Sequence, residues 1–203
     1  MIDRKSHWEQ VYGTKQPHEV SWTQDTPHTS LEFIHGFNLP KDAAIIDIGG
    51  GDSKLVDYLL REGFTDLTVL DISETAIERA KARLGIDASK VHWIVSDILT
   101  FHPQRHYDLW HDRATFHFLT TRAEIDTYLD IARRAAKRHM VIGTFSETGP
   151  LKCSMLEVHR YSKAELALTL ERDFKKIKCI NTDHATPFHN MQNFTFCSFS
   201  RRA

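Results

Sequence analysis

The chain has 203 residues, with 26 Lys and Arg against 27 Asp and Glu, a formal charge of -1. That length suits one domain with its own core, and the charge balance excludes a polyanion-binding surface spread over the chain. With 41% hydrophobic and 26% charged residues the composition excludes intrinsic disorder.

Residues 1–39 carry a Trp/Tyr-rich segment, with His7-Trp8-x-x-x-Tyr12 and Ser21-Trp22, and a short helix opened by Thr29-x-x-Glu32 as a capping box. Ala43–Ile48 is a short buried strand that ends in Gly49-Gly50-Gly51. Leu55, Val56, Leu59 and Leu60 then mark one face of a helix. Leu67–Asp71 is the next strand, and Ser73 caps a helix whose Ala76, Ile77, Ala80 and Leu84 share a face. Val91–Val95 and Tyr107–His111 are the third and fourth strands. Ile125, Tyr128, Leu129, Ala132 and Ala136 recur at helical spacing before a fifth, His139–Phe145. Ser162-x-x-Glu165 opens a last helix. Lys175–Ile180 and Phe194–Phe199 close the chain as an antiparallel pair joined by a long loop around Pro187 and Asn190. The alternation predicts an α/β fold: a three-layer, Rossmann-like seven-stranded sheet, mostly parallel with an antiparallel C-terminal strand. One domain is expected over 1–203, with 1–39 as an N-terminal extension and 40–203 as the core.

Cys153, Cys179 and Cys197 are odd in number and form no CxxC pair, so no disulfide framework is expected and a reduced compartment fits. The charged start lacks a signal-peptide pattern, and no apolar run approaches the roughly 20 residues that cross a bilayer. A cytoplasmic protein without membrane partners is expected.

The chemistry begins at Asp47-Ile48-Gly49-Gly50-Gly51, where a strand runs into a glycine turn that exposes bare backbone to a ligand. Asp71 ends the next strand twenty residues after Gly51. A carboxylate there accepts hydrogen bonds from both hydroxyls of a ribose, so an adenosine-containing cofactor is favoured. Gly49-x-Gly51-x-x-Lys54 lacks the third glycine of the dinucleotide fingerprint, and Asp47 suits a cationic ammonium better than a diphosphate. Asp97 and Ile98, after the third strand, offer an acceptor for an exocyclic amine and an apolar wall.

These residues resemble the class I S-adenosylmethionine-dependent methyltransferases. The motifs are Asp47-x-Gly49-x-Gly51, Asp71, Asp97-Ile98 and Tyr107-Asp108-Leu109-Trp110, spread over roughly Lys41 to Phe145. The resemblance implies S-adenosyl-L-methionine as cofactor and S-adenosyl-L-homocysteine as product. It implies that Asp47, Gly49, Gly50 and Gly51 face the methionine part, Asp71 and Ile72 the ribose, and Asp97 and Ile98 the adenine. It also makes the N-terminal segment a lid, with Trp22 at the cofactor. Two positions depart from the family pattern: Ser53 stands where a glycine is frequent, and Arg138-His139 where a Pro-Gly-Gly turn is usual.

Acceptor chemistry is expected just past the fourth strand, with His111 and His117 as proton acceptors and Asp112 orienting either histidine or a cationic acceptor. Arg113, Cys153 and Arg160 are expected to bind substrate. The chain holds 13 His, but neither His111-x5-His117 nor His184-x4-His189 has HxxxH or HExxH spacing, so no metal site is expected. The strand-four sequence Asp112-Arg113-Ala114-Thr115 lacks the Asp/Asn-Pro-Pro-Phe/Tyr pattern of nucleobase amino methylation, and near-neutral charge also argues against nucleic acid. The expected reaction moves a methyl group to an O, N or S atom of a small-molecule acceptor. A protein lysine substrate and a non-catalytic S-adenosylmethionine-binding module stay open as alternatives.

Overall fold

A computed structural model describes residues 3–202. Five strands alternate with helices: β1 (Ala44–Ile48), β2 (Asp66–Asp71), β3 (Val91–Val95), β4 (Tyr107–Arg113) and β5 (Ala136–Phe145). A two-residue pair, β6 (Lys152–Cys153) and β7 (Leu156–Glu157), forms its own small hairpin. The chain closes with β8 (Phe174–Ala185) and β9 (Met191–Arg201). The helices are α1 (Arg4–Thr14), α2 (His28–His35), α3 (Leu55–Arg61), α4 (Glu74–Leu84), α5 (Arg122–Ala135) and α6 (Lys163–Leu170). The main sheet has seven strands in the order β3-β2-β1-β4-β5-β9-β8. Only β9 runs against its neighbours, so the expected mostly parallel, Rossmann-like sheet is the observed one.

The strand order reverses between β1 and β4, and in open parallel sheets such a switch point opens a crevice at the carboxyl edge. Alternation along the strands decides what faces each layer. Ile46 and Ile48 of β1 and Trp110 of β4 pack against α5 and α6. Ile45, Leu109 and Val141 pack against α2 and α3 on the other face. β1 is buried at all five positions, as a central parallel strand covered on both sides must be.

Helix starts follow local chemistry. Ser73 Oγ accepts from Ala76 N at 3.1 Å, as its sequence context predicts. Thr121 and Glu124 form a full capping box for α5, a signal not singled out in the sequence. At Thr29 the expectation fails, because α2 already begins at His28 behind Pro27 and Thr29 lies within the helix.

Three further expectations are corrected. α1 is an 11-residue helix with only Val11 and Tyr12 buried, so it lacks the apolar stripe by which helices are recognised. The closing strands run longer than expected and are joined by residues 186–190 alone, which places His184 on β8 rather than in a long loop. Cys179 and Cys197 are direct cross-strand partners and form a disulfide, with Cα atoms 4.1 Å apart. Cysteine spacing carries no trace of that pairing, because only the β8–β9 register brings the two together. Cys153 is free and buried. Among the described residues no helix is long and apolar enough to cross a membrane, and no group of three or more His, Cys, Asp or Glu is arranged to hold a metal ion.

Candidate active site

A cavity of about 510 Å³ opens at the carboxyl ends of β1 to β4, beneath a roof made by α1 and the segment around Trp22. The first loop explains its glycines by packing. A Cβ on Gly49 would stand 1.8 Å from Thr115 Oγ1, and the residue has φ +66°. A Cβ on Gly50 would meet Asp47 Oδ2 at 2.6 Å, and one on Gly51 would meet Asp71 Oδ2 at 2.6 Å. The glycines thus let Asp47, Asp71 and Thr115 crowd the turn. Gly49 and Gly50 line the cavity, whereas Gly51 sits behind it. Arg83 of α4 holds the next residues: Nη2 donates to Ser53 O at 2.8 Å, and the guanidinium also pairs with Asp52 and Asp57.

Asp71 is buried, and its Oδ1 accepts from Ser73 N at 2.8 Å. Burial pushes its carboxyl up to about 7; the Ser73 hydrogen bond opposes this, and the charges of Asp47 and Glu9 add to it. Asp97 caps the turn after β3 by accepting from Leu99 N at 2.9 Å. Ile72, Asp97 and Ile98 line the cavity. Two carboxylates and an apolar wall on successive strand ends suit the ribose and base of an adenosine group.

At the other end, β1 and β4 lie side by side with Asp47 opposite His111. Both project toward α2, so His111 Nδ1 meets Asp47 Oδ1 at 2.6 Å and Nε2 meets Ser30 Oγ at 2.9 Å. All three are buried and line the cavity. With Nδ1–H donating to the Asp47 carboxylate, Nε2 is left to accept from the Ser30 hydroxyl. Ser30 had no sequence signal, since only the packing of α2 on the sheet brings it there.

Asp112 projects the opposite way and does not line the cavity. Its carboxylate accepts from Tyr128 Oη at 2.7 Å, Thr115 N at 3.0 Å and Phe116 N at 3.1 Å. Burial raises it to about 6 against these hydrogen bonds. It fixes the turn that follows β4, where Ala114 has φ +69° and Thr115 is set against Gly49. The expectation that Asp112 orients a histidine is therefore corrected.

His117 is corrected as well. It is fully buried outside the cavity, accepts from Phe145 N at 3.2 Å through Nδ1, and stacks on the Phe145 ring. Burial, helped by Arg113, lowers it to about 3, so it is neutral and poorly basic. Arg160 too stands off the cavity, with Nη1 donating to Glu147 O at 2.7 Å. Arg113 and Cys153 do line it. Burial pushes the Cys153 thiol up to about 11, so it stays protonated.

The roof is aromatic. Trp8 packs edge-on to Trp22 at 5.7 Å and to Phe118 at 5.1 Å, and Tyr12 lies 6.1 Å from Trp22. Trp8 and Tyr12 line the cavity together with Trp22. Glu9 anchors α1 to the start of α4, accepting from Glu74 N at 2.6 Å, Ser73 Oγ at 3.1 Å and Thr75 N at 3.2 Å. His184 Nε2 meets Ser21 O at 2.6 Å, which ties β8 to the same roof.

Residues 45–139 match the methyltransferase domain family. The chain is 24% identical over 166 residues to EEF1A lysine methyltransferase 2 of Danio rerio, covering 81% of this chain and 68% of that protein. It is 30% identical over 98 residues to malonyl-[acyl-carrier protein] O-methyltransferase 1 of Ilyobacter polytropus, covering 48% of this chain but only 35% of the relative. Among solved structures, the N-methyltransferase NodS of Bradyrhizobium japonicum in complex with S-adenosyl-L-homocysteine superposes with a TM-score of 0.70 at 15% identity, covering 99% of this chain and 100% of that one. The 1,6-didemethyltoxoflavin-N1-methyltransferase of Burkholderia thailandensis, with 1,6-didemethyltoxoflavin and S-adenosylhomocysteine bound, gives a TM-score of 0.72 at 16% identity, covering 98% and 87%. The match to a methyltransferase domain over residues 45–139 thus falls on the part of the Rossmann-like sheet that carries the glycine turn between Asp47 and Asp71.

Proposed function

We propose that the protein methylates an O, N or S atom of a small-molecule acceptor held under the roof of α1 and Trp22. The observation that carries this reading is the covered cavity itself. Its 510 Å³ lies within the roughly 300–1,000 Å³ of single small-molecule sites, and cofactor and acceptor must share it.

S-adenosylmethionine, when bound, supplies an electrophilic methyl group on a sulfonium. In this reading Asp71 and Ile72 hold the ribose, and Asp97 and Ile98 the adenine. Gly49, Gly50 and Asp47 face the methionine end. Trp8, Tyr12 and Trp22 exclude water and present ring faces to a cation. Residues up to Leu39 act as the roof and those from Pro40 as the core of one domain.

His111 is the proton acceptor. Its Nε2 takes the Ser30 hydroxyl proton as Ser30 Oγ takes the proton of the acceptor, and Asp47 stabilises the imidazolium that forms. His117 and Asp112 act on the loop that shapes the wall. Arg113 and Cys153 belong to the acceptor half.

A second reading, a protein lysine acceptor, is favoured by the similarity to EEF1A lysine methyltransferase 2. Incubation with methyl-labelled S-adenosylmethionine against a metabolite extract and, separately, against a protein lysate tests the two. Label is expected in the small-molecule fraction. Label confined to protein would replace this reading with the lysine one, and no label from a protein that binds S-adenosylhomocysteine would leave a binding module.

A further inference from the structure

Arg113 stands at the carboxyl end of β4 with only part of its guanidinium used. Nη1 donates to Trp22 O at 3.0 Å, while Nη2 is buried and has no hydrogen-bond partner among the described residues. The guanidinium lies over the Phe194 ring, 5.5 Å from its centroid. Arg4 and Arg83, which also reach the cavity wall, commit their charge to Glu124 and to Asp52 and Asp57. Arg113 has no such partner. Asp47 is close enough to act on it through space, but its Oδ1 is engaged by His111.

Apart from Asp47, the titratable groups that face Arg113 are neutral. Burial depresses His117 to about 3 and also lowers His184, and the Cys153 thiol is held protonated. Arg113 itself is lowered to about 10 by burial and remains charged at neutral pH. A buried cation with a free donor, whose nearby acid Asp47 is turned to His111, is costly unless an incoming anion completes it. The strand order says where that anion sits. Adenine-facing Asp97 follows β3, Asp71 ends β2, the glycine turn follows β1, and Arg113 ends β4. Adjacent strands are about 4.8 Å apart, so Arg113 lies one step beyond the methionine end of the cofactor path.

We propose that the free arm of Arg113 is the receptor for a carboxylate-class anion on the acceptor, so that the substrates of this protein are small organic acids. This rests on the β4 end being the acceptor half. The anion anchors the molecule against Arg113, and the atom to be methylated is turned toward Ser30. The same buried charge repels an ammonium, which sets this site against a lysine side chain.

Calorimetry on protein saturated with S-adenosylhomocysteine tests the proposal, using malonate and benzoate as probes and malonamide and benzamide as neutral controls. At least one carboxylate is expected to bind while its amide does not, with the affinity falling more than tenfold in Arg113→Met and less in Arg113→Lys. No carboxylate binding to the wild-type protein overturns the proposal. A second arm compares S-adenosylhomocysteine with 5′-methylthioadenosine, which lacks the amino-acid carboxylate. Both affinities are expected to stay within twofold in Arg113→Met. A tenfold loss for S-adenosylhomocysteine alone would assign the arginine to the carboxylate of the cofactor and also overturn the proposal. Retained methylthioadenosine binding certifies the fold. If Arg113→Met lacks it, Arg113→Lys decides: a reduced preference for carboxylate over amide supports the proposal, and an unchanged one overturns it. Failure of either arm leaves the methyl-transfer reading intact, since that is judged by label incorporation.

Discussion

From β3 to β4 the cavity wall changes character. The half facing β1 to β3 is made of residues between Asp47 and Ile98, most at a strand end or in the turn just after it, with Arg79, Ala82 and Arg83 added from α4. The half at β4 takes Ser30 from α2, His111 and Arg113 from β4 and Cys153 from β6, while His184 of β8 braces the roof segment. The first half is acidic and polar, suited to a sugar, a base and an ammonium. The second sets the Arg113 guanidinium beside a histidine, a hydroxyl and a thiol. A half built from contiguous βα turns can serve one constant ligand, whereas a half assembled from distant segments can change its ligand without disturbing the first.

The sharpest way to break this comparison is to remove proton transfer while leaving cofactor binding. With an acceptor from the label screen in hand, His111→Asn is expected to lower kcat by about 10²–10⁴, the range for loss of a general base. S-adenosylhomocysteine affinity is expected to change little. Ser30→Ala should lower kcat less, because the imidazole remains. A His111→Asn protein that binds S-adenosylhomocysteine and turns over at the wild-type rate would remove His111 from the chemistry.

That same division governs what the sequence discloses. Asp71 and Asp97 were legible because strand, turn and acid follow one another in the chain, and a parallel sheet places every such turn on one edge. The seven-stranded, mostly parallel sheet followed from the same alternation and its antiparallel last strand from the closing hairpin, while the order of the strands was not legible. Ser30 was not legible, since nothing near it in sequence marks a buried hydroxyl that will meet a histidine from β4. His117 and Asp112 were misread for a related reason. Successive residues on a strand face opposite layers, so His111 reaches the cavity while Asp112 turns to Tyr128. The Cys179–Cys197 bond depends on strand register, which no spacing rule encodes.

A smaller effect is expected from Asp71, the acid proposed for the ribose, and it carries a pH signature. Asp71 is raised to about 7, chiefly by burial, so in the unliganded protein it is largely protonated below that pH. Ribose hydroxyls donate best to the ionised form, so binding expels a proton and S-adenosylhomocysteine affinity should climb with pH and level off above about 7. Asp71→Asn is expected to weaken binding by about 1–3 kcal/mol and to flatten that dependence. Unliganded stability moves the other way. A carboxyl raised in the folded state holds its proton longer than in the unfolded chain, so it costs stability as pH rises from its ordinary 3.8 through about 7. Asp71→Asn should therefore melt no lower than wild type at pH 8 while binding cofactor less well. Wild-type affinity that is flat between pH 6 and 8 would show that Asp71 is not the group that binding deprotonates.

The smallest expected effect belongs to the roof, where the two halves share a cover. α1 has too few buried residues to hold itself down by apolar area, and its attachment is polar. Burial acts to raise the Glu9 carboxyl, but hydrogen bonds from Thr75, Glu74 and Ser73 outweigh it and leave the group below its ordinary value. A carboxylate in that place satisfies free N–H groups of the first turn of α4 and meets the positive end of the helix. Arg4 and Arg79 add contacts to Glu124 and to Lys15 O, so loss of one anchor loosens the roof without releasing it. Glu9→Ala is expected to cost about 1 kcal/mol of roof attachment. That should speed S-adenosylhomocysteine dissociation several-fold and raise hydrogen exchange in α1 while leaving the amides of β1 and β4 protected. Equal loss of protection in α1 and in the sheet would mean that the roof is part of the folding core, and that cofactor and acceptor enter by another route.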